Sequence, residues 1–286
     1  MEIKEIKAKN IIAKSKLPDA DYVVNPYTGC EFGCIYCYAS FMGRFVNESI
    51  NNWGNYVYVK TNAVQLFDKE IDTIPEKDTT ILLSSVTDPY QGVESKYKLT
   101  RGILETVIKK GYGGEIGILT KSSMVTRDIE VLKKIPQIDV GMTITTTDDE
   151  LSRFLELRAT ATSMRIKTLD ELNKAGIPTY AFVGPLLPHF RYKPELLDKL
   201  FASLVEAGVE QVYIEHINLS TYIRKRMFEY LKDDPVLQEV YKEAATDIHR
   251  EELDKIVREQ LHKHGLKLRL NDVIYHHKEP ERDVLQ

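Results

Sequence analysis

Residues 25–38 read NPYTGCEFGCIYCY, and they contain all three cysteines of the 286-residue chain. Cys30, Cys34 and Cys37 follow the spacing CxxxCxxC and fall within eight positions. Because no other cysteine exists to pair with them, a disulfide framework is excluded and a bound metal centre is indicated. Clustered free thiols also suit a reducing compartment.

The number of thiolates limits what this segment can bind. A [4Fe-4S] cluster normally takes four thiolates, so three cysteines leave one iron open to a further ligand. Gly29 and Gly33 let the backbone wrap tightly and bring amide N–H groups near the sulfides. A structural zinc site is the alternative, but it normally has four protein ligands, and the nearest histidine is His189. The pattern favours the cluster.

The segment resembles the radical S-adenosylmethionine (SAM) superfamily, in which an aromatic residue precedes the third cysteine, as Tyr36 does here. The longer string NPYTGCEFGCIYCYA is similar to the spore photoproduct lyase-like branch, whose members are often labelled DNA repair photolyases. The resemblance covers roughly residues 22–190. It implies a [4Fe-4S] cluster whose open iron binds SAM, reductive cleavage of SAM to a 5′-deoxyadenosyl radical, and an external one-electron donor such as flavodoxin or ferredoxin.

Composition bounds the location and the partners of the chain. No apolar run approaches the roughly 18 residues that a membrane span needs, and the first 16 residues, MEIKEIKAKNIIAKSK, lack an apolar signal core. We therefore expect a cytoplasmic protein with no membrane contact. The net charge of −4 argues mildly against nonspecific duplex binding, which rests on Lys and Arg. The basic runs at 224–226 and 262–269 are typical of solvated helix faces.

Short apolar runs alternate with helical patterns along most of the chain, which is typical of buried parallel strands joined by helices. We predict strands at 22–24, 79–85, 115–120, 139–145, 178–183 and 211–215, and helices at 38–45, 63–71, 99–110, 127–134, 164–175 and 194–207. Ser163 is a candidate N-cap of one of these helices, and residues 53–60 are expected to be extended. Six βα units predict an α/β fold, a partial (β/α)6 TIM-like barrel, which the resemblance also implies.

The predicted barrel occupies residues 1–221, beginning with an irregular lead-in segment. Residues 222–286 are richer in charge and predict a long helix at 235–264 followed by a strand at 266–270. We expect this C-terminal helical extension to pack on the side of the barrel.

Candidate binding residues follow the second, third and fourth predicted strands, because the loops at the carboxyl ends of parallel strands converge on one ligand. The resemblance assigns Thr87 and Asp88 to the amino end of SAM and Lys121 to its carboxylate. Thr143 offers a hydroxyl for a further SAM contact. The alternatives are an Asp-Pro turn at residue 88, a surface lysine at residue 121 and simple strand propensity at residue 143.

Later strand ends give further candidates. The string LELRATATSMR resembles the family stretch EPxxxxxxxR, with Leu157 in place of the usual proline. Arg165 at its end either reaches SAM or pairs with Glu156. Gly184 permits close contact with adenine. His216 faces the expected substrate side as a candidate catalytic residue, although a single strand-end histidine is more often structural.

Hydrogen-atom transfer is where the chain departs from spore photoproduct lyase. The resemblance makes Tyr36 and Tyr38 candidate hydrogen relays, or aromatic packing beside the cluster. The donor cysteine of the lyase aligns with Ser85 or close to it, and a serine O–H yields hydrogen far less readily than a thiol. The sequence therefore predicts a radical SAM enzyme acting on an unassigned nucleic acid, peptide or small metabolite, rather than an authentic spore photoproduct lyase. The alternative is a non-enzymatic iron-sulfur or zinc binding protein.

Overall fold

A computed structural model of the chain describes residues 1–276, in which eleven strands form two sheets. The final ten residues of the predicted extension, 277–286, lie outside the described residues. The strands are β1 (Glu2–Ile6), β2 (Ile12–Lys14), β3 (Tyr22–Val24), β4 (Tyr27–Thr28), β5 (Tyr56–Lys60), β6 (Thr80–Leu83), β7 (Glu115–Thr120), β8 (Ile138–Thr143), β9 (Thr179–Leu186), β10 (Gln211–His216) and β11 (Lys267–Leu268).

Helices connect most of these strands. The α-helices are α1 (Ala63–Glu70), α2 (Glu94–Tyr97), α3 (Leu99–Lys110), α4 (Ile129–Leu132), α5 (Asp149–Leu155), α6 (Thr162–Lys174), α7 (Pro194–Glu206), α8 (Thr221–Tyr230), α9 (Pro235–Glu243) and α10 (Asp247–His264). Short 3₁₀ helices cover Tyr38–Val46, Ile50–Asn52, Ile71–Thr73, Ser123–Asp128 and Pro188–Arg191. The helix predicted at 38–45 is thus a 3₁₀ helix, whereas the helix predicted at 127–134 is α4, preceded by a 3₁₀ helix.

The larger sheet has the order β11-β10-β9-β8-β7-β6-β3-β2. The six strands predicted from the sequence lie side by side in chain order, and all are parallel. β11 adds a further parallel strand at one edge, and β2 pairs antiparallel with β3 at the other. Within residues 1–276 the two edge strands do not pair, so the sheet stays open. The predicted α/β class and TIM-like partial barrel are confirmed.

Apolar side chains on alternate strand positions form the core between the sheet and its helices. Ile116 and Ile118 on β7 are fully buried there with Leu104 and Leu172 from the covering helices. On the opposite face of β7, Gly117 lies in the barrel interior, where an added Cβ would be 3.4 Å from Leu82. This alternation is what a strand covered by helices on one face requires.

A polar and aromatic plug fills the barrel interior near the amino ends of the strands. Arg269 forms an ion pair with Asp139, and its guanidinium lies over the rings of Tyr180 and Tyr213, 4.4 and 5.3 Å from their centres. The Tyr213 hydroxyl donates to Asp19. Ligand-binding side chains are therefore expected at the opposite, carboxyl end of the strands.

The second sheet is small and lies next to the cysteine segment. β5 pairs parallel with β1 and antiparallel with β4. β5 confirms the predicted extended segment over residues 56–60, whereas residues 53–55 form a turn, and β1 and β2 were not predicted. Four of the five β1 side chains are exposed, so the apolar alternation that signals a half-buried strand is missing there.

The C-terminal extension differs from its prediction in one respect. The long helix expected at 235–264 is two helices, because the Thr246 hydroxyl bonds the carbonyl of Glu243 and accepts from the amide of His249, ending α9 and starting α10. α10 packs on α7, where Lys263 and His264 both contact Asp198. The division of the chain after residue 221 remains a prediction.

The start of α6 also differs from the prediction. Its first helical residue is Thr162, and the residue before it is Ala161. Ser163 does not cap the helix, because its amide and its hydroxyl both donate to Asp149 at the start of α5, at 2.9 and 2.6 Å. The predicted cap thus links two helices instead.

Candidate cofactor site at the carboxyl ends of the strands

The cysteine segment follows β3 and β4 and folds as a tight loop. Cys30 and Cys34 are buried and Cys37 is partly buried, all as free thiols. Gly29 has a φ of +91°, and an added Cβ would lie 2.5 Å from the carbonyl oxygen of Tyr56. Only glycine fits this close approach of the loop to β5. The predicted ligand cysteines are therefore presented by a rigid backbone.

Side chains of the loop after β6 fix both peptides that flank Cys30. Gln91 accepts a hydrogen bond from the amide of Glu31 at 3.0 Å and donates to the hydroxyl of Thr87 at 2.9 Å. The Thr87 hydroxyl in turn donates to the carbonyl of Gly29 at 2.6 Å. Thr87, a predicted SAM contact, thus bonds the cysteine loop. Gln91 was not predicted and is fully buried.

A second anchor comes from the segment after α5. The amide of Ile35 donates to the carbonyl of Leu155 at 2.9 Å, and the amide of Arg158 donates to the carbonyl of Phe32 at 3.2 Å. The Arg158 guanidinium also donates to the carbonyl of Glu31 at 3.1 Å. Residues 155–158 therefore hold the cysteine loop in place through these three hydrogen bonds.

Next to this segment, a buried ion pair holds the side chain of Tyr36 in place. The Tyr36 hydroxyl donates to the Glu156 carboxylate, whose other oxygen pairs with Arg165. The guanidinium of Arg165 also donates to the carbonyls of Thr143 and Thr160, at 3.0 and 2.6 Å. Of the two alternatives for Arg165, the structure shows pairing with Glu156. Burial favours the neutral acid, but Arg165 and Lys121 outweigh it and lower the pKa of Glu156.

Lys121 and Thr143 lie next to Tyr36 at the ends of β7 and β8. The ammonium of Lys121 is 3.4 Å from the Thr143 hydroxyl and 5.9 Å from the centre of the Tyr36 ring. Burial acts to lower the pKa of Lys121, but the negative charges of Cys34 and Glu156 outweigh it and raise that pKa. The structure thus brings three predicted SAM-binding residues together beside a cysteine.

Asp88 has a supporting position in this group. Its carboxylate accepts from the Thr120 hydroxyl at 2.7 Å and from the amides of Lys121 and Tyr90 at 2.8 and 2.9 Å. These bonds hold the turn that carries Lys121. The contacts of Asp88 are therefore made with the protein, and its predicted contact with SAM remains a prediction.

Tyr38 and Ser85 are also brought together. The exposed Tyr38 side chain donates its hydroxyl hydrogen bond to the carbonyl of Ser85. Asn25 fixes this turn by accepting from the amides of Ser85 and Val86, at 3.0 and 3.1 Å, and by donating to the Ser85 hydroxyl at 3.2 Å. Tyr38, one of the two candidate hydrogen relays, therefore contacts the main chain of Ser85, the residue that aligns with the donor cysteine of the lyase.

Two predicted residues have different surroundings. A Cβ on Gly184 would lie 2.0 Å from the ring of Phe182, so glycine is needed there for packing within β9. His216 lies 2.7 Å from Asp254 of α10, and its ring stacks on Tyr275 at 4.8 Å. The structure therefore places His216 on the helix-facing side of β10, and its catalytic role remains only a prediction.

Glu215, next to His216 on β10, is a residue that the sequence did not predict as part of the site. It shares a face of β10 with Tyr213, whose ring packs against Phe182 in the barrel interior at 5.8 Å. Glu215 bonds His276 at 2.8 Å, and its charge, after burial and Cys37, contributes to raising the pKa of Tyr38. Side chains alternate between the two faces of a strand, so His216 shares one face with Ile214 and Glu215 shares the other with Tyr213. This alternation is the sequence signal that distinguishes the two faces.

The thiols fit an iron-sulfur cluster better than a single ion. Among residues 1–276, no three His, Cys, Asp or Glu side chains are arranged to hold one metal ion, as a zinc site would require. A cluster instead takes each thiolate on a different iron. Burial raises the pKa of all three thiols, and Lys121 acts against this at Cys34 and Cys37. A metal centre bound there would offset this effect of burial and favour the thiolate forms.

Two surface cavities of the described chain lie at other positions. One of about 660 Å³ lies between α10 and β11, bordered by Arg258 and Lys267. The other, of about 610 Å³, lies at the start of β6 and is bordered by Glu76 and Thr80. None of the predicted site residues lines either cavity. In the described part of the chain, no helix is both long enough and apolar enough to span a membrane.

The chain belongs to the radical SAM superfamily, whose family model matches residues 24–200. It is 40% identical over 188 residues to an uncharacterised protein of Methanocaldococcus jannaschii, covering 66% of this chain and 69% of that protein. It is 28% identical over 216 residues to an uncharacterised protein of Mycobacterium tuberculosis (strain ATCC 25618 / H37Rv), covering 72% and 63%.

Solved structures support the fold. Spore photoproduct lyase complexed with dinucleoside spore photoproduct superposes with a TM-score of 0.69 at 16% identity, covering 93% of this chain and 81% of that chain. The predicted superfamily and the predicted likeness to spore photoproduct lyase are confirmed. At this identity, the likeness concerns the fold alone.

Proposed function

We propose that this protein is a cytoplasmic radical SAM enzyme that holds a [4Fe-4S] cluster on Cys30, Cys34 and Cys37 and binds SAM at the open iron. The observation that carries the proposal is the hydrogen-bonded CxxxCxxC loop, in which the ring of Tyr36 lies next to the ammonium of Lys121. When bound, the cluster supplies an electron that cleaves SAM and yields a 5′-deoxyadenosyl radical able to take hydrogen from a substrate. An external donor such as flavodoxin or ferredoxin supplies that electron.

The residues beside the cysteine loop divide the work of binding SAM. Lys121 is an ammonium at a strand end and binds the SAM carboxylate. Thr143 and Tyr36 offer hydroxyl and ring contacts within reach of the same ammonium. Thr87 and Asp88 act mainly by fixing the loop and the turn that present these groups.

Three more residues complete the proposed binding group. Arg165 neutralises Glu156 and thereby holds the Tyr36 hydroxyl. Gly184 leaves room for the ring of Phe182 and for the close approach of adenine. These roles orient the ligand and exclude water, which is what the protein contributes to cofactor chemistry.

The proposed reaction on the substrate differs from that of spore photoproduct lyase. All three cysteines are committed to the cluster, so no thiol remains to return a hydrogen atom. Tyr38, in contact with the carbonyl of Ser85, is the hydroxyl best placed to take part in hydrogen transfer. The reaction is a lyase or a related radical transformation.

A nucleic acid is the substrate class with specific support, because the similar lyase structure contains a dinucleoside photoproduct. The exposed Lys225 of α8 supplies a cation for phosphate groups. A peptide or small metabolite is the other class. Binding of single-stranded oligonucleotides that weakens steeply with salt supports the first class, and no binding at low ionic strength removes it.

Anaerobic reconstitution tests the proposal directly. We expect about four irons and four sulfides per chain, in keeping with a [4Fe-4S] cluster, and release of 5′-deoxyadenosine from SAM only after reduction. A Cys34→Ala variant serves as the control without the cluster. One zinc and no sulfide would identify a non-enzymatic zinc protein, and a cluster that never cleaves SAM would identify a non-enzymatic iron-sulfur protein.

A further inference from the structure

One cation of α8 points toward the cysteine loop instead of toward solvent. The run Arg224, Lys225 and Arg226 suggests a solvated helix face, and the first two side chains are exposed. Arg226 is partly buried, and one of its terminal nitrogens donates to the Ser40 hydroxyl at 2.6 Å. Ser40 in turn donates to the carbonyl of Cys37 at 3.2 Å. A chain of two hydrogen bonds therefore joins Arg226 to the third cysteine.

The other terminal nitrogen of Arg226, Nη1, is buried and has no hydrogen-bond partner among residues 1–276. A buried cationic donor without an acceptor is unfavourable, so such groups normally have an anionic partner. Burial lowers the pKa of Arg226, while the negative charges of Cys37 and Cys34 act to raise it. The electrostatic partners of this guanidinium thus include two of the three cysteines.

We propose that Arg226 Nη1 donates a hydrogen bond to the cluster on its Cys37 side and raises the reduction potential of the cluster. This inference rests on the proposed function, since it requires the [4Fe-4S] cluster. The reduced cluster carries one more negative charge than the oxidised cluster, so a nearby cationic donor stabilises the reduced form more strongly. α8 would then make the electron that starts SAM cleavage easier to accept.

A redox titration of the reconstituted cluster, followed by electron paramagnetic resonance in the absence of SAM, tests this role. Each cluster takes one electron from a reduced mediator. For Arg226→Gln we expect at least a tenfold lower equilibrium constant for reduction, a shift of about 59 mV to more negative potential for one electron. Arg226→Lys keeps the charge but lacks the planar group that donates in two directions. Its reduction potential should therefore lie between those of the unmodified protein and Arg226→Gln.

Arg224→Gln is the matched control. It removes the same charge from the same helix, but Arg224 is exposed and lies over the ring of Phe228 at 5.6 Å. We expect the Arg224→Gln potential to equal that of the unmodified protein. Equal potentials for Arg226→Gln and the unmodified protein, or equal shifts for Arg224→Gln and Arg226→Gln, would overturn the proposal.

Counting iron and sulfide separates this inference from the proposed function. If the unmodified protein assembles no four-iron cluster, the proposed function fails before any potential is measured. If the cluster forms and Arg226→Gln leaves its potential unchanged, only the role of Arg226 fails. If Arg226→Gln does not load the cluster, the reduction potential of Arg226→Lys is the test. A potential equal to that of the unmodified protein counts against the proposal.

Discussion

Replacement of Lys121 should separate SAM binding from cluster binding. Its ammonium lies beside Thr143 and the ring of Tyr36, and among residues 1–276 it makes no hydrogen bond to the cysteine loop. For Lys121→Ala we expect the Kd for SAM to rise about tenfold or more, because a charge-assisted bond to the carboxylate is lost. Equilibrium dialysis of the reconstituted enzyme measures this change.

The controls for Lys121→Ala are direct. Iron and sulfide content should match those of the unmodified protein, and Lys133→Ala, which removes an exposed lysine, should leave the Kd unchanged. An unchanged Kd in Lys121→Ala, with the cluster intact, would show that the SAM carboxylate binds elsewhere.

At the scale of single residues, the sequence predicts groups at strand ends far better than groups that anchor loops. Lys121 and Thr143 were found because parallel strands end at one edge of a sheet, whatever the details of packing. Gln91 was not found, since it bonds a peptide 60 residues earlier in the chain and belongs to no periodic pattern. His216 was predicted from its residue type, and only the alternation of faces along β10 indicates that it lies against α10.

At the scale of elements, the loop after β6 acts as a support for the cysteine loop. Gln91 bonds both neighbours of Cys30 and is fully buried, so Gln91→Leu keeps the volume but leaves the amide of Glu31 without its partner. A buried unsatisfied group costs about 1–3 kcal/mol. We expect iron to be released to a chelator about tenfold faster, since about 1.4 kcal/mol is a factor of ten.

Gln137→Leu is the matched control for this experiment. Gln137 is exposed and bonds the carbonyl of Gly113, remote from the cysteine loop in the fold. Its replacement should leave the release rate unchanged. Equal release rates for the Gln91→Leu and unmodified proteins would mean that the loop holds its shape without the amide.

Elements with a clear apolar period were predicted well, and short or charged ones were not. The six parallel strands and helices such as α3 and α7 follow from buried runs between breakers. The split between α9 and α10 depends on one threonine hydroxyl that serves both helix ends, and a charged helical pattern continues through it. Residues 38–46 form a 3₁₀ helix, which the apolar pattern does not distinguish from an α-helix.

At the scale of the whole molecule, the extension and the barrel meet around a buried histidine. His249 of α10 is 1% exposed and lies 3.4 Å from a guanidinium nitrogen of Arg191, just after β9. Burial, with Arg191, lowers the pKa of His249 to about 4. An unfolded histidine has a pKa of about 6.5, so between these values the unfolded chain binds more protons and stability falls as the pH falls.

This interface predicts a pH-dependent free energy of unfolding. Between pH 6.5 and pH 5 we expect a loss of up to about 2 kcal/mol attributable to His249, at 1.36 kcal/mol per pKa unit. His249→Gln should remove that part of the loss, as measured by denaturant unfolding at both pH values. His262→Gln, at an exposed position of the same helix, is the control, and an identical pH dependence in the two variants would contradict the assignment.

The side chains that hold the cysteine loop come later in the chain than the cysteines, and this order determines when the loop can take its shape during synthesis. Gln91 follows its partner Glu31 by 60 residues, and Glu156 follows Tyr36 by 120. During translation the three thiols therefore leave the ribosome long before the side chains that shape their loop. Iron delivered to the nascent chain would meet unshaped thiols, so cluster delivery belongs after β8 and α6 are in place. For the proposed cluster, we therefore expect loading to take place on a largely folded barrel.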